Sequence, residues 1–309
     1  MQKIYPIFVF LFIIAIIITT VIVSSIGDSS SKPTTGGIIV SSDAGQSWKI
    51  VEGSQSLDII SWTDSAFDPS SFYLGTKRNG LWMMTNNGEA IEKIIDKAGV
   101  LKDISDVYAI SETNSHANIL WLAVFQDSHG RVIKLDKNIG GEELYFTPIQ
   151  RYGIFDIIVD PFNENRIFFG SGDGGFFETL DGGRSWRLIR RFKQGILKIE
   201  NVGKGEFRLF GAKDGLFYTE DYGRTFVELD SASEPLNGSE NLQDFLYDKN
   251  LEEAWASYAN IIWAAADNQL YNSSDGGKTW TGHILPTERR VKFLIIDKIN
   301  PQYIYAILH

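Results

Sequence analysis

Thr179-Leu180-Asp181-Gly182-Gly183-Arg184-Ser185-Trp186, the stretch TLDGGRSW, decides how this chain is built. An aspartate two residues after a hydroxyl side chain, a glycine two further on and a second hydroxyl two beyond that describe a locked turn. The carboxylate accepts backbone N–H groups inside the turn, and the glycine takes a positive φ that other residues resist. The hydroxyls add short-range hydrogen bonds, and the tryptophan opens the next strand with a large apolar anchor. TLDGGRSW therefore predicts a hairpin whose residues have structural work.

The same template, S/T-x-D-x-G-x-S/T-W/F, returns at three other places: around Asp43, Gly45 and Trp48, around Asp221, Gly223 and Phe226, and around Asp275, Gly277 and Trp280. Two weaker copies without the aromatic lie between, with Asn86 in MTNNGEAI and Asp136 in KLDKNIGG at the aspartate position. The six turn positions are 43, 50, 45, 40 and 54 residues apart, the length of one four-stranded unit. Upstream of each turn the order strand, Asp-Pro turn, strand, Gly-rich turn, strand recurs, most clearly in IIVDPFNENRIFFGSGDGGFFETLDGG from Ile157 to Gly183.

These four copies resemble the Asp-box, the bacterial neuraminidase repeat also found in sortilin-type domains, certain endo-glucanases and the photosystem II assembly-factor family. The resemblance covers residues 37–309 and implies an all-β fold, a single β-propeller of six blades, with seven the alternative if the 54-residue spacing before Asp275 hides two. The C-terminal FLIIDKINPQYIYAILH, from Phe293, supplies only two strands of a blade. Gly37-Ile38-Ile39-Val40 and Trp48-Lys49-Ile50-Val51 supply the other two, so the termini are expected to complete one sheet and leave no open edge. Leu251-Glu252-Glu253-Ala254 is expected to form a helical turn in a long loop of the fifth blade.

Residues 1–26 contain an uncharged, mainly apolar run from Ile4 to Ile26, and 23 residues of helix suffice to cross a bilayer. The run predicts an uncleaved signal anchor, with a cleaved signal peptide and secretion as the alternative. Lys3 before it and Asp28 after it put the N-terminus in the cytoplasm and the body outside. Residues 27–36, GDSSSKPTTG, read as a flexible linker.

Composition narrows the partners. A net charge of −10 argues against a nucleic-acid surface. The absence of cysteine excludes disulfides, thiolate metal sites and a lipoprotein anchor. His116, His129, His283 and His309 are too scattered to collect a metal, and no cofactor is expected. Asn237 and Asn272 open N-x-S sequons, which matter only in a eukaryotic secretory route.

Two groups of residues are candidates for binding. Asp58, Asp106, Asp156, Lys198, Asp244 and Lys292 recur at the start of the innermost strands, where they predict a charged ring at the mouth of a central channel. The competing role is capping or mutual pairing. Arg187, Arg190, Arg191 and Lys193, with Arg184 nearby, form a basic cluster on an acidic chain, although strand alternation splits such a run between two faces. The assembly-factor likeness implies an arginine-bearing protein-binding face, but these arginines do not align with it residue by residue.

Neuraminidase chemistry is not supported, because the Arg-Ile-Pro motif of that family is absent and Arg166-Ile167 is followed by Phe168. Asp-box endo-glucanases use paired carboxylates between two propellers, and this chain has room for one. The sequence thus points to a non-enzymatic, membrane-tethered module that binds or assembles a protein partner. A glycan-binding or glycoside-hydrolase propeller is the alternative.

Overall fold

The computed structural model describes residues 37–113, 115–212, 215–229, 253–258, 261–266, 269–276, 278–297 and 299–309. Among these, no helix is long and apolar enough to cross a membrane, and the apolar run Ile4–Ile26 and the linker lie outside the described residues. Every described sheet has four antiparallel strands, and the described chain forms two compact units.

The unit containing both termini has two sheets. β1 (Gly37–Ser41) and β2 (Lys49–Ile50) share one with β23 (Val291–Ile296) and β24 (Ile304–Leu308), in the order β2-β1-β24-β23. Ile39 stands between Ile50 on one side and Ala306 on the other, so the first and last described strands pair directly. The second sheet is β19 (Glu253–Tyr258), β20 (Ile261–Ala266), β21 (Gln269–Ser273) and β22 (Thr281–Ile284). Of the expected helical turn at Leu251–Ala254, Leu251 and Glu252 lie outside the described residues, and Glu253 and Ala254 instead open β19 and pair with Ala266 and Ala265, because strand pairing satisfies their backbone groups.

Residues 57–237 form the other unit, with four sheets in chain order. They are β3 (Ile59–Asp64) to β6 (Ala90–Ile94) through β4 (Phe72–Thr76) and β5 (Leu81–Thr85); β7 (Asp106–Glu112) to β10 (Gly140–Phe146) through β8 (Ile119–Gln126) and β9 (His129–Asp136); β11 (Ile154–Asp160) to β14 (Arg187–Arg191) through β12 (Asn163–Ser171) and β13 (Gly175–Thr179); and β15 (Ile196–Gly203) to β18 (Val227–Leu229) through β16 (Glu206–Gly211) and β17 (Leu216–Thr219).

Strands covered on both faces need apolar residues at consecutive positions. β4, FYLGT, is buried throughout, and so is the end of β12, IFFGS. Tyr73 and Leu81 pack on Val107, Leu120 and Leu122 of the next sheet. Trp121 and Ala123 pack on Ile157, Ile167 and Phe169 of the one after, and Phe168 and Phe176 on Ile199, Phe207 and Leu209 of the last. Gly75 permits the closest approach, since a Cβ there would lie 2.3 Å from the Val107 carbonyl oxygen.

The box turns bond as their residue types dictate. Asp43 accepts the Ser47 N–H at 2.8 Å and the Ser47 hydroxyl at 2.6 Å, while the Ser41 hydroxyl receives the Gly45 N–H at 2.7 Å. Asp181 and Asp221 repeat the pattern with Ser185 and Thr225, and Asp275 takes the same two bonds from Thr279. Gly183 is needed twice over: its φ is +90°, and a Cβ would lie 2.5 Å from Leu144 Cδ1 of the preceding sheet. Phe226 meets Phe192 and Phe176 of the preceding sheet at 5.1 and 5.8 Å, so the box aromatic joins neighbouring sheets. Gly277 lies outside the described residues. At the weaker copies, Asn86 and Asn87 take positive φ in a short 3-10 turn, and Asp136 accepts only the Asn138 and Ile139 N–H groups.

The Ser185 hydroxyl and N–H and the Thr179 hydroxyl hold the Asp181 carboxyl down at about 2. Asp221 and Asp275 are lowered too, by Thr225 and Thr279 first. A carboxyl lowered on folding stabilises the fold at every pH above its unfolded value near 3.9, and the contribution disappears as pH falls through the folded value. Thermal melts followed by circular dichroism are expected to lose midpoint steeply between about pH 4 and 2. Asp181→Asn is expected to flatten that loss. An unchanged acid limb would show that the box carboxylates do not carry it.

Candidate functional site

Of the predicted channel-mouth residues, Asp106 and Asp156 turn their carboxylates to backbone N–H groups. Asp156 is buried, accepting the Ile199 N–H of the next sheet at 2.7 Å, with Lys198 Nζ 3.8 Å away. Asp106 accepts the Arg78 N–H at 2.8 Å and thereby ties β7 to the β4–β5 hairpin of the sheet before it. Asp58 is exposed at the entry to β3, where its carbonyl receives the Lys77 N–H at 2.8 Å. Lys292 belongs to the other unit, with its ammonium 5.9 Å from the Phe293 ring. Asp244 lies outside the described residues. Among the described residues no three carboxylates or imidazoles are grouped to hold a metal ion.

The basic cluster occupies β14, the outermost strand of its sheet. A register shift opposite Phe176 and Phe177 leaves Arg187 and Arg190 on one face and Leu188 and Arg191 on the other. Arg187 donates to the buried Glu178 at 2.7 Å, and Arg190 lies over the Phe192 and Phe226 rings at 5.2 and 5.4 Å. Arg191 pairs with Asp173, and Lys193 is exposed just beyond the strand. The four cations therefore do not share one surface.

Arg191 instead helps to form a small pocket that no sequence motif marks. Its walls are Tyr145 at the end of β10, Thr147, Ile149 and Tyr152 from the β10–β11 connection, Phe177 on β13 and Asp173 in the β12–β13 hairpin. The enclosed volume, about 40 Å³, takes one small side-chain tip. The connection is rigid because the Gly130 N–H donates to the Tyr152 carbonyl at 2.9 Å, the Arg151 N–H to the Ser128 carbonyl at 2.8 Å, and the Thr147 hydroxyl to the Tyr152 carbonyl at 2.9 Å.

Charge in the pocket is balanced. Burial pushes the Asp173 carboxyl up, but the Ser171 hydroxyl and Arg191 guanidinium outweigh it and hold the group below its usual range. Burial and the charge of Asp173 raise the Tyr145 phenol, against a smaller pull from Arg191. At neutral pH the pocket thus presents aromatic walls, a neutral phenol and a compensated ion pair. Ile149, in its wall, is 58% exposed, whereas Phe146 meets the His129 ring at 6.0 Å. The only local sign in the sequence is YFTPIQRYG, Tyr145 to Gly153, an apolar and aromatic connection broken by proline.

Solved structures share this arrangement of four-stranded sheets. The GH74 xyloglucanase of Xanthomonas campestris matches with a TM-score of 0.59 and 13% identity, over 81% of this chain and 51% of the enzyme. YCF48 from Cyanidioschyzon merolae matches with a TM-score of 0.55 and 12% identity, over 81% of this chain and 95% of that one. The fold is a β-propeller. A YCF48 bound to D1 peptide matches with a TM-score of 0.52 and 12% identity, over 82% of this chain and 94% of that one. The propeller described here spans about half the length of the xyloglucanase. No protein-family model matches the sequence, and no curated protein matches it.

Proposed function

We propose that this propeller, six-bladed and built of Asp-box repeats, is a non-enzymatic binding or assembly module. Ile4–Ile26 tether it to a membrane and leave the blades outside the cytoplasm. Its partner is a protein that places a small apolar side chain between Tyr145, Tyr152, Phe177 and Arg191. The observation that carries this reading is the pocket with the exposed Ile149 in its wall, because an aromatic-walled hole with an apolar border and an arginine suits a protein anchor residue. A glycan site would gather free carboxylates beside an aromatic platform, whereas the carboxylates of Asp106 and Asp156 are engaged with backbone N–H groups. The likeness to a peptide-binding YCF48 agrees with a protein partner.

The test is affinity purification of the full chain from its native membrane, comparing wild type with Tyr152→Ala and Phe177→Ala. Loss of a co-purifying protein from both variants, with unchanged recovery from Ile139→Ala on the opposite rim, is the expected result. An unaltered set of partners in both variants sinks the reading, and binding on a glycan array that both variants abolish would replace it with the carbohydrate one.

A further inference from the structure

In the residues 57–237 unit, the box turns and Asp-Pro turns lie at one rim of the sheets, and the second hairpins and sheet-to-sheet connections lie at the other. The connection rim is continuous from sheet to sheet. The Gly80 N–H donates to the Ser105 carbonyl at 3.0 Å, Lys102 Nζ meets Asp127 at 2.6 Å, and the Arg151 N–H reaches Ser128.

Three features coincide along it. Ile104 and Ile149 stand 75% and 58% exposed at loop tips, with the amphipathic ring of Tyr152 beside the second. Lys77, Arg78, Arg151 and Lys193 are exposed, and no ion pair among the described residues engages their side chains, while the carboxylates of Asp103, Asp127 and Asp173 are paired and that of Asp106 accepts the Arg78 backbone N–H. Arg78 and Arg151 moreover occupy left-handed backbone, with φ of +57° and +71°, where glycine would sit with less strain. Long cationic side chains are thus held at two tips whose backbone favours glycine. The opposite rim carries Asp68, Asp136, Asp160, Asp181 and Asp221 alongside Arg184, Lys204 and Arg224.

We infer that the connection rim docks on an anionic lipid surface, with Ile104 and Ile149 entering the headgroup boundary and Arg78, Arg151 and Lys77 meeting lipid phosphates. Apolar tips among cations are what an interfacial contact requires, and such contacts add buried apolar area to electrostatic attraction. The inference builds on the tethered reading above. Ten residues separate Ile26 from Gly37, a reach of roughly 35 Å at most, so the tether maintains a high local concentration of bilayer and a weak contact suffices to orient the propeller. The pocket at Tyr145 would then open beside the bilayer, toward a partner that is itself a membrane protein.

The chain contains no cysteine, so Ile104→Cys and Ile139→Cys each give one labelling position, on opposite rims. The full chain, carrying an environment-sensitive fluorophore at one position, is reconstituted into phosphatidylcholine vesicles with or without phosphatidylglycerol, each containing a nitroxide lipid. With phosphatidylglycerol, quenching at position 104 is expected to exceed that at 139 about threefold. It should fall to the 139 level without phosphatidylglycerol and in the Arg78→Gly/Arg151→Gly double variant, whose backbone conformations glycine accepts. Equal quenching at the two positions, or quenching indifferent to phosphatidylglycerol, overturns the docking. So does a double variant that loses only a protein partner. Flotation after a urea wash reports the tether separately. A chain that washes off yet is quenched at 104 on added anionic vesicles keeps the docking and loses the tether; an anchored chain unquenched at 104 does the reverse.

Discussion

Replacing Phe168 by alanine is expected to destabilise the propeller by about 3–5 kcal/mol and to lower its melting temperature by roughly 6–20 °C. The ring is fully buried where two sheets meet, at 4.7 Å from Phe207, 5.5 Å from Phe176 and 6.5 Å from Tyr222. Its removal takes away the transfer free energy of a phenyl group and leaves a hole lined by aromatic rings, which cannot collapse into it as flexible chains do. Phe168→Leu, which keeps most of the volume, should lose only about 1–1.5 kcal/mol. Phe162→Ala, at an exposed tip six residues earlier in the chain, should stay within about 0.5 kcal/mol of wild type. Urea unfolding of the three variants reads these differences directly. A Phe168→Ala midpoint no lower than that of Phe162→Ala would mean that this inter-sheet seam does not carry stability.

The second large effect is expected at Glu178, a carboxylate with no solvent exposure. Arg187 donates to Oε2 at 2.7 Å, and Arg166 Nε approaches Oε1 at 3.1 Å as an ion pair without hydrogen-bond alignment. Arg166 is held in place by the Tyr222 ring, 3.9 Å from its guanidinium carbon, and its Nη1 is 3.9 Å from the buried Asp160. Glu178→Ala leaves the Arg166 cation largely dry with only a distant counter-charge, and the expected loss is about 3 kcal/mol. Because the pair is shielded from water, added salt should change that loss little. A Glu178→Leu/Arg166→Met double variant removes both charges and should recover most of the stability. Stability that drops further in the double variant than in Glu178→Ala would show that packing around Arg166, rather than its charge, is what matters.

How much of this was legible beforehand depends on the distance over which each residue acts. Asp181 bonds four residues ahead, within the window that TLDGGRSW displays, so its role is written in the motif. The pairing of Ile39 with Ala306 spans almost the whole chain, yet each half carries strand patterning and a turn signature that the other lacks. Asp156 is the contrary case. In the sequence it is one charge of a recurring set, while its partner is the N–H of Ile199, 43 residues on, and backbone N–H groups leave no trace in a residue pattern. The pocket was hidden for a related reason. Tyr145, Phe177 and Arg191 come from strands of two sheets and converge only because a connection folds over the seam between them.

The sheet shared by the two ends of the chain also has a consequence for synthesis. β1 and β2 emerge from the ribosome first, and β24, which lies beside β1, emerges last, 263 residues after Ser41 at Ile304. At 5–20 residues per second the first strand waits about 13–50 s with an unpaired edge. During that interval Gly37–Ser41, apolar and buried throughout in the finished sheet, is a target for chaperones and for the edges of other nascent chains. A chain that ends between Ile296 and Ile304 has every box turn, and one sheet still lacks a strand. Slower translation between Ser41 and Ile304 is therefore expected to lengthen the exposure of that edge.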